Sequence, residues 1–286
     1  MPLLGAHMSI SGGLEKALLR GEKRGCQVVQ IFTKSPNQWV SGELPRKEID
    51  AFERIRTQTS VVPIAAHDSY LINLASPRRE NRARSLQALQ DELVRAERLN
   101  IPYVVMHPGA HMGEGEKKGI RRIAEALNRV LDRTCRLRVQ ILLETTAGQG
   151  TTLGYRFEQL AEIIRRTALQ ERLGVCLDTC HVFAAGYDFK DREACDRLLR
   201  DFDEIIGLDM LRLLHLNDSK RALGSKIDRH EHIGEGAIGE HAFSLLLKAP
   251  ILWDLPCILE TPKGKDASGT DLDIRNLTIL RRLMEE

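Results

Sequence analysis

The chain has 286 residues, of which 42% are hydrophobic and 29% are charged, and its formal net charge is +2. This composition is typical of a globular protein in water, and the sequence has no apolar run near the roughly 18 residues that cross a membrane. The N-terminus lacks the basic and apolar regions of a secretory signal, so we expect a cytoplasmic protein with no membrane partner. A net charge this small neither predicts nor excludes a nucleic-acid partner.

Short apolar runs alternate with longer amphipathic segments along the chain, which is typical of repeated βα units. The predicted strands are Leu3–His7, Val28–Thr33, Pro63–Asp68, Tyr103–His107, Gln140–Thr145, Gly174–Asp178, Leu213–Asn217 and Pro256–Thr261. The predicted helices are Leu14–Arg24, Arg46–Thr57, Arg79–Asn100, Lys117–Leu137, Arg156–Leu169, Arg192–Ile206, Glu240–Lys248 and Leu272–Met284. These repeats predict a (β/α)8 TIM barrel that forms a single domain over residues 1–286, because barrels of about 250 residues fold as one domain.

The third to eighth predicted strands end in side chains that can bind metals. These groups, with others from the loops just beyond, are His67, His107, Glu144, Asp178, His181, His215, Asp228, His230 and Glu260. Because the carboxyl ends of barrel strands meet at one face, we expect these groups to converge. A lone histidine or aspartate at such a place is more often structural. We expect that role for His7, His111, His232 and His241.

Five imidazoles and four carboxylates exceed what one catalytic zinc ion needs, so the pattern indicates several ions. Two or three close divalent ions are a recurring arrangement for phosphoryl chemistry. Mixed histidine and carboxylate ligands favour zinc or manganese over magnesium. Cys176 and Cys180 flank Asp178, but no second cysteine pair completes a four-cysteine zinc site. We therefore expect these cysteines to be small buried apolar residues.

Segments around these residues resemble endonuclease IV, the family of zinc-dependent apurinic/apyrimidinic endonucleases. The matching segments are HDSYLINL at 67–74, MHPG at 106–109, ETTAGQG at 144–150, GVCLDTCH at 174–181, HLNDSK at 215–220, DRH at 228–230, IGEG at 233–236 and LET at 259–261. The resemblance runs from GAH at 5–7 to the last strand and implies a TIM barrel with three zinc ions. Manganese is an alternative at one of the three sites.

The resemblance also implies how the ligands divide among the ions. The first ion takes His67, His107 and Glu144; the second takes Glu144, Asp178, His215 and Glu260; the third takes His181, Asp228 and His230. Glu144 bridges two ions and is the implied catalytic residue that orients the attacking water. The implied reaction is hydrolysis of the phosphodiester 5′ to an abasic site in duplex DNA, leaving a 3′-hydroxyl and a 5′-deoxyribose phosphate.

The same resemblance predicts DNA contacts in the loops at the barrel mouth. Tyr70 and Leu71 match positions that insert at the lesion, although both residues could instead belong to the core of a short helix. The loop at 34–39 matches a second DNA-contacting segment, but Asn37 stands where family members carry an arginine and cannot offer a planar cation. Candidates for phosphate contact are Lys34, Lys220 and Arg229.

Two other functions fit parts of the pattern. A sugar isomerase or epimerase would use metals bound by histidine and carboxylate at the same mouth, but has no evident use for Asp228 and His230 as a third ligand set. A lesion-binding protein without catalysis would not need the complete ligand set. We therefore predict a monomeric nuclease without an organic cofactor.

Overall fold

The computed structural model describes residues 1–39 and 41–285. Within these residues eight parallel strands close into a barrel, and each strand pairs with its neighbours in chain order. The strands are β1 (Leu3–Met8), β2 (Val28–Phe32), β3 (Val62–His67), β4 (Tyr103–Met106), β5 (Gln140–Glu144), β6 (Leu173–Asp178), β7 (Leu211–His215) and β8 (Pro256–Leu259). The predicted TIM barrel is confirmed.

Helices cover the outside of the barrel and follow its strands. They are α1 (Leu14–Lys23), α2 (Arg46–Gln58), α3 (Arg79–Arg98), α4 (Glu116–Arg133), α5 (Phe157–Arg165), α6 (Thr179–Ala185), α7 (Arg192–Ile205), α8 (Glu240–Leu247) and α9 (Leu272–Glu285). The short helix α6 is the one that the sequence reading missed. In the part of the chain that the structure describes, no helix combines the length and the apolar character that crossing a membrane requires.

Apolar side chains form two separate layers. The barrel interior holds one residue from each of seven strands: Val28, Ala65, Val105, Leu142, Cys176, Leu213 and Ile258. A larger layer lies between strands and helices and includes the fully buried rings of Phe52, Phe157, Phe202 and Phe243. Side chains alternate between the two faces of a strand, so each of these seven strands contributes to both layers.

Two of the predicted helices end earlier in the structure for reasons that are visible in the chain. Helix α3 ends at Arg98 because Asn100 adopts a positive φ of 53°, which stops a helix and is tolerated best by glycine and asparagine. Helix α4 ends at Arg133, where the hydroxyl of Thr134 donates a 2.8 Å hydrogen bond to the carbonyl of Val130. This local bond competes with continued helical hydrogen bonding.

The first two strands approach unusually closely at Gly5. A Cβ atom there would lie 1.7 Å from the carbonyl oxygen of Val28 in β2. Any side chain at this position would push β1 and β2 apart, so glycine is needed to close the barrel. Closure in turn fixes the strand ends that carry the predicted ligands.

Candidate metal centre

The two-residue period of the strands carries the predicted ligands into the barrel mouth. In β3 to β8 each interior apolar residue stands two positions before a predicted ligand at or just past the strand end. Residues two apart face the same side of a strand, so these ligands also point inward. They are His67, His107, Glu144, Asp178, His215 and Glu260.

Glu144 lies at the centre of this group and is fully buried. Its Oε2 lies 3.1 Å from His67 Nε2 and 3.3 Å from His107 Nε2, while its Oε1 lies 3.1 Å from His215 Nδ1 and 3.2 Å from His181 Nδ1. Burial alone would raise the pKa of Glu144, but the charges of His107 and His215 and its hydrogen bonds hold that pKa well below its usual range. The carboxylate therefore joins two sets of imidazoles.

The structure brings the first two predicted ligand sets together. The ligand atoms of His67, His107 and Glu144 all lie within 4.8 Å of one another. The same holds for the second set, Glu144, Asp178, His215 and Glu260. Within it, His215 Nδ1 lies 3.3 Å from Glu260 Oε2 and 3.8 Å from Asp178 Oδ2. Each set offers the mixed nitrogen and oxygen donors that zinc accepts.

Helix α6 explains the spacing between Asp178 and His181. Asp178 ends β6 and is also the N-cap of α6, where its Oδ1 accepts a 2.8 Å hydrogen bond from the backbone N–H of His181. An N-cap side chain bonds to the third residue of the helix, which places His181 on the first turn and directed at the cluster. Asp178 therefore caps α6 and also faces the cluster, so its structural role does not exclude the predicted role as a metal ligand.

The third predicted set is joined through Asp228. The Oδ2 atom of Asp228 lies 3.1 Å from His181 Nε2, and its Oδ1 atom lies 3.3 Å from His230 Nε2. The pKa of Asp228, which burial alone would raise, is lowered to about 2 by its close contact with His181 and by the charges of His181 and other nearby histidines. The groups within 4.8 Å of one another here are Asp178 with His181 and His230, and Cys180 with Asp228 and His230.

The imidazoles are oriented as metal ligands are. His67, His181 and His230 each place Nδ1 2.8 to 3.2 Å from a backbone carbonyl, and His215 places Nε2 2.9 Å from a side-chain amide oxygen. The accepting oxygens belong, in this order, to Asp68, Thr145, Glu260 and Gln30. A carbonyl can only accept, so these nitrogens carry a proton, and the other ring nitrogen of each imidazole faces the cluster, where it could bind a metal ion in place of a proton.

Two observations indicate that cations fit this cluster. The Nε2 atoms of His181 and His230 are buried and lie 3.1 and 3.3 Å from Asp228, but neither has the geometry of a hydrogen bond, which buried polar atoms rarely lack. Burial lowers the pKa of His67, but the hydrogen bond and charge of Glu144 outweigh it and raise this pKa to about 10. The negative potential that raises the imidazole pKa is one that divalent cations would neutralise.

Gln30 and His7 are site residues that the sequence reading missed. Gln30 is fully buried, and its amide nitrogen donates to Glu260 at 2.6 Å and contacts His7 Nδ1 at 3.0 Å. Gln30 stands two positions after the interior residue Val28, as the predicted ligands do in the other strands. The same strand period could therefore have identified Gln30 as a mouth residue, and His7 is its partner rather than an isolated structural histidine.

Asn217 and Thr145 also hold ligands in place and were not predicted. The amide of Asn217 donates to Asp178 Oδ2 at 2.6 Å, and its Oδ1 accepts from the backbone N–H of Glu260 at 2.8 Å. The hydroxyl of Thr145 accepts from the backbone N–H of Asp178 at 2.9 Å. Such partners fix ligand orientation, and their loss commonly lowers metal affinity about 10- to 100-fold.

Lys34 does not lie where the predicted phosphate contact requires. Its side chain is 2% exposed, and Nζ lies 2.7 Å from Glu92 and 2.9 Å from Asp91, both on α3. A buried lysine with two carboxylate partners has no free charge to offer DNA, because separating it would leave buried charges unpaired. The prediction for Lys34 was wrong, and the residue instead ties the loop after β2 to α3.

The other predicted DNA contacts lie at or near the mouth. Tyr70 is 68% exposed, which excludes the alternative that it is a core residue, whereas Leu71 is half-buried. Tyr70, Lys220 and Arg229 line an open cavity of about 580 Å³ together with predicted ligands. Asn37 is exposed on the loop after β2. Their contact with DNA stays a prediction.

The two cysteines that flank Asp178 differ in surroundings. Cys176 faces the apolar barrel interior, as expected for a small buried residue. Cys180 is also buried, but its sulfur lies within 4.8 Å of ligand atoms of Asp228 and His230. Burial, followed by the charge of Asp178, raises the pKa of Cys180 to about 12, so the thiol stays protonated near neutral pH.

The chain is similar to known proteins along its whole length. A family model described as xylose isomerase-like TIM barrel matches residues 20–281. "Probable endonuclease 4" of Chloroflexus aurantiacus is 49% identical over 285 residues, which cover 100% of this chain and 99% of that protein. The crystal structure of endonuclease IV from Thermus thermophilus is 36% identical, has a TM-score of 0.86, and matches over 99% of both chains. A D-tagatose 3-epimerase-like protein is 19% identical, with a TM-score of 0.75 over 99% of this chain and 97% of that one, and shares the fold.

Proposed function

This chain belongs to the endonuclease IV family, and we propose that it is a DNA repair endonuclease of the cytoplasm. The substrate is duplex DNA that contains an abasic site, and the reaction hydrolyses the phosphodiester bond 5′ to that site. The products are a 3′-hydroxyl and a 5′-deoxyribose phosphate. The observation that carries the proposal is the convergence of nine ligand-capable side chains at one barrel mouth.

Three zinc ions are the proposed cofactors, with manganese as an alternative at one position. The first position takes His67, His107 and Glu144, and the second takes Glu144 with Asp178, His215 and Glu260. The third takes His181, Asp228 and His230. The orientation of these imidazoles supports this division, since their free ring nitrogens face the cluster and those of His181 and His230 make no hydrogen bond there. All of the proposed ligands come from one chain, which is consistent with a monomer.

Zinc at these positions would supply water that ionises near neutral pH and positive charge for the phosphate oxygens. The chain's own residues hold this arrangement rigid. Glu144 contacts imidazoles of all three sets and cannot rotate, because both of its oxygens are engaged and it is fully buried. Gln30 and Asn217 fix the carboxylates of Glu260 and Asp178. Catalysis then benefits from groups that need no reorganisation during reaction.

Selection of the lesion is proposed to come from the loop between β3 and α3. An abasic nucleotide resists displacement from the duplex least, because it has no base to unpair. Tyr70 projects into solvent beside His67, with its ring centroid 6.3 Å from that imidazole, and Leu71 follows it in the same loop. Tyr70 and Leu71 can fill the gap that the displaced sugar leaves. Lys220 and Arg229, which line the same cavity, can contact phosphates.

The test is a nicking assay with zinc-loaded protein. We expect cleavage of a duplex with one abasic-site analogue, no cleavage of the undamaged duplex, and about three zinc ions per chain by elemental analysis. Tight lesion binding without nicking would favour a binding protein. Conversion of a ketose or aldose, with one manganese or magnesium ion per chain, would favour an isomerase or epimerase.

A further inference from the structure

The carboxylate of Asp218 accepts an unusual number of backbone hydrogen bonds. Its Oδ1 accepts from the N–H groups of Ser219 at 2.7 Å and Ile238 at 2.9 Å. Its Oδ2 accepts from Gly234, Gly236 and Gly239 at 3.0 to 3.2 Å. The side chain is fully buried, and among the described residues it makes no ion pair. These N–H donors alone therefore offset the cost of burying its charge.

The chain at 234–239 is shaped around this carboxylate. Gly234 and Gly239 have positive φ angles of 83° and 82°, which aim their N–H groups inward. A Cβ atom at Gly236 would lie 2.4 Å from Asp218 Oδ1 and 2.5 Å from the carbonyl oxygen of Ser219. The loop therefore lies against Asp218 with no room for a side chain.

Asp218 also begins the short hairpin that carries His230. Residues 218–219 pair antiparallel with 230–231, so that Asp218 faces Glu231 and Ser219 faces His230. The N–H of Lys220 donates to the carbonyl of Arg229 at 2.9 Å. The strand that starts at Asp218 thus pairs with the backbone of His230. The loop that follows His230 then donates its N–H groups to the Asp218 carboxylate.

We infer that Asp218 is the positioning residue that holds Asp228 and His230 opposite His181. The inference deepens the proposed function and rests on it, because it concerns the third of the proposed zinc positions. Asp218 contacts neither that position nor the substrate. It acts through the backbone at 228–239, which the barrel strands themselves do not support.

Asp218→Asn is the direct test, because asparagine keeps the shape but its amide NH₂ cannot accept. At least two of the N–H groups must then face a donor. We expect zinc content to fall from three ions to two per chain. In metal-free protein, amide exchange at 234–239 should become at least about 10-fold faster while exchange in the barrel strands stays unchanged. We expect kcat to fall about 10- to 100-fold with KM within about threefold, and excess zinc to restore part of it.

Two further variants complete the test. Gly236→Ala displaces the same loop by adding a side chain on the loop itself, and it should also release one zinc ion. It therefore tests the inference if Asp218→Asn does not fold. Asp191→Asn removes a carboxylate that caps α7 through the N–H of Ala194 and belongs to none of the clustered ligand groups, so it should leave zinc content unchanged. Asp218→Asn with three bound ions, or with equal loss of all ions, would overturn the inference. If the unmodified protein fails to nick abasic DNA, the proposed function fails. The amide-exchange comparison still tests whether Asp218 holds the loop at 234–239.

Discussion

The proposed ligands on the barrel strands differ from the proposed ligands that the hairpin at 218–231 carries. Glu144, Asp178 and His215 are fully buried and take their direction from strands that are paired on both sides. The side chains of Asp228 and His230 are 38% and 17% exposed and sit on the hairpin, outside the barrel strands. The strand ligands are therefore positioned by the fold itself, whereas the hairpin ligands need a separate anchor, which we assign to Asp218.

The difference has a physical origin in how each group is supported. A strand end in a closed barrel cannot shift without breaking hydrogen bonds to two neighbours, so ligand positions vary little. A hairpin can open locally at much lower cost, because few buried contacts are lost. We expect the site to lose the hairpin ion first and the strand-bound ions only when the barrel itself is perturbed. Two substitutions test this contrast and two more separate the metal centre from the DNA-contacting loops, from the largest expected effect to the smallest.

Glu144→Gln should abolish most activity, because both proposed strand-bound ions share this carboxylate. We expect a fall in kcat on the order of 10⁴-fold, measured by single-turnover nicking of an abasic duplex. The matched control is Glu116→Gln on α4, whose carboxylate accepts from the hydroxyl of Tyr155 and belongs to none of the clustered ligand groups. The control should keep normal activity. A Glu144→Gln protein with more than a tenth of the normal rate would contradict the central role of this residue.

Asp228→Asn should remove the hairpin ion while the strand-bound ions stay. The expected loss of kcat is about 10²- to 10³-fold, smaller than for Glu144, because one charged group that stabilises the transition state is lost rather than the shared ligand. Elemental analysis should find two zinc ions per chain. If all three ions leave together, the hairpin and the strand ends are not the independent units that we describe.

Tyr70→Ala should weaken recognition of the lesion without affecting the metal centre. Loss of one stacking contact of this kind costs about 1 to 3 kcal/mol, so we expect kcat/KM for the abasic duplex to fall about 5- to 150-fold. Zinc content should not change. Trp253→Ala removes another exposed aromatic ring, 53% exposed and just before β8 at the opposite end of the barrel, and should have no effect. An equal loss in both variants would count against a specific role for Tyr70.

Asn37→Arg should strengthen DNA binding by supplying the planar cation that this loop lacks. An exposed contact of an arginine with a ring or phosphate is worth about 0.5 to 1 kcal/mol, which corresponds to about two- to fivefold tighter binding. Fluorescence anisotropy with an abasic duplex in metal-free protein measures the change, and its salt dependence should steepen. Asn37→Gln adds no charge and serves as the control. If Asn37→Arg does not bind the abasic duplex more tightly, the loop does not contact the DNA.

The sequence by itself determined the strand ends and therefore most of the candidate site. Apolar runs that stop at His67, Glu144 or Asp178 predict inward ligands, because residue alternation in a strand is a local property. The same rule applies to β2, where Gln30 follows Val28, but glutamine is not a common metal ligand and so gave no signal. His7 was given a structural role because a single histidine cannot be told from a core residue without its neighbours.

The tertiary structure alone decided which polar groups meet and which are buried. Lys34 has the sequence context of a surface loop, yet the packing of that loop on α3 places its charge between Asp91 and Glu92. Helix α6 is too short to show a helical period in the sequence, and its start is defined in the structure by the N-cap that Asp178 provides. The glycine partners of Asp218 lie 16 to 21 residues later in the chain. Contacts of this kind depend on chain closure over long separations, which residue type and local spacing do not encode.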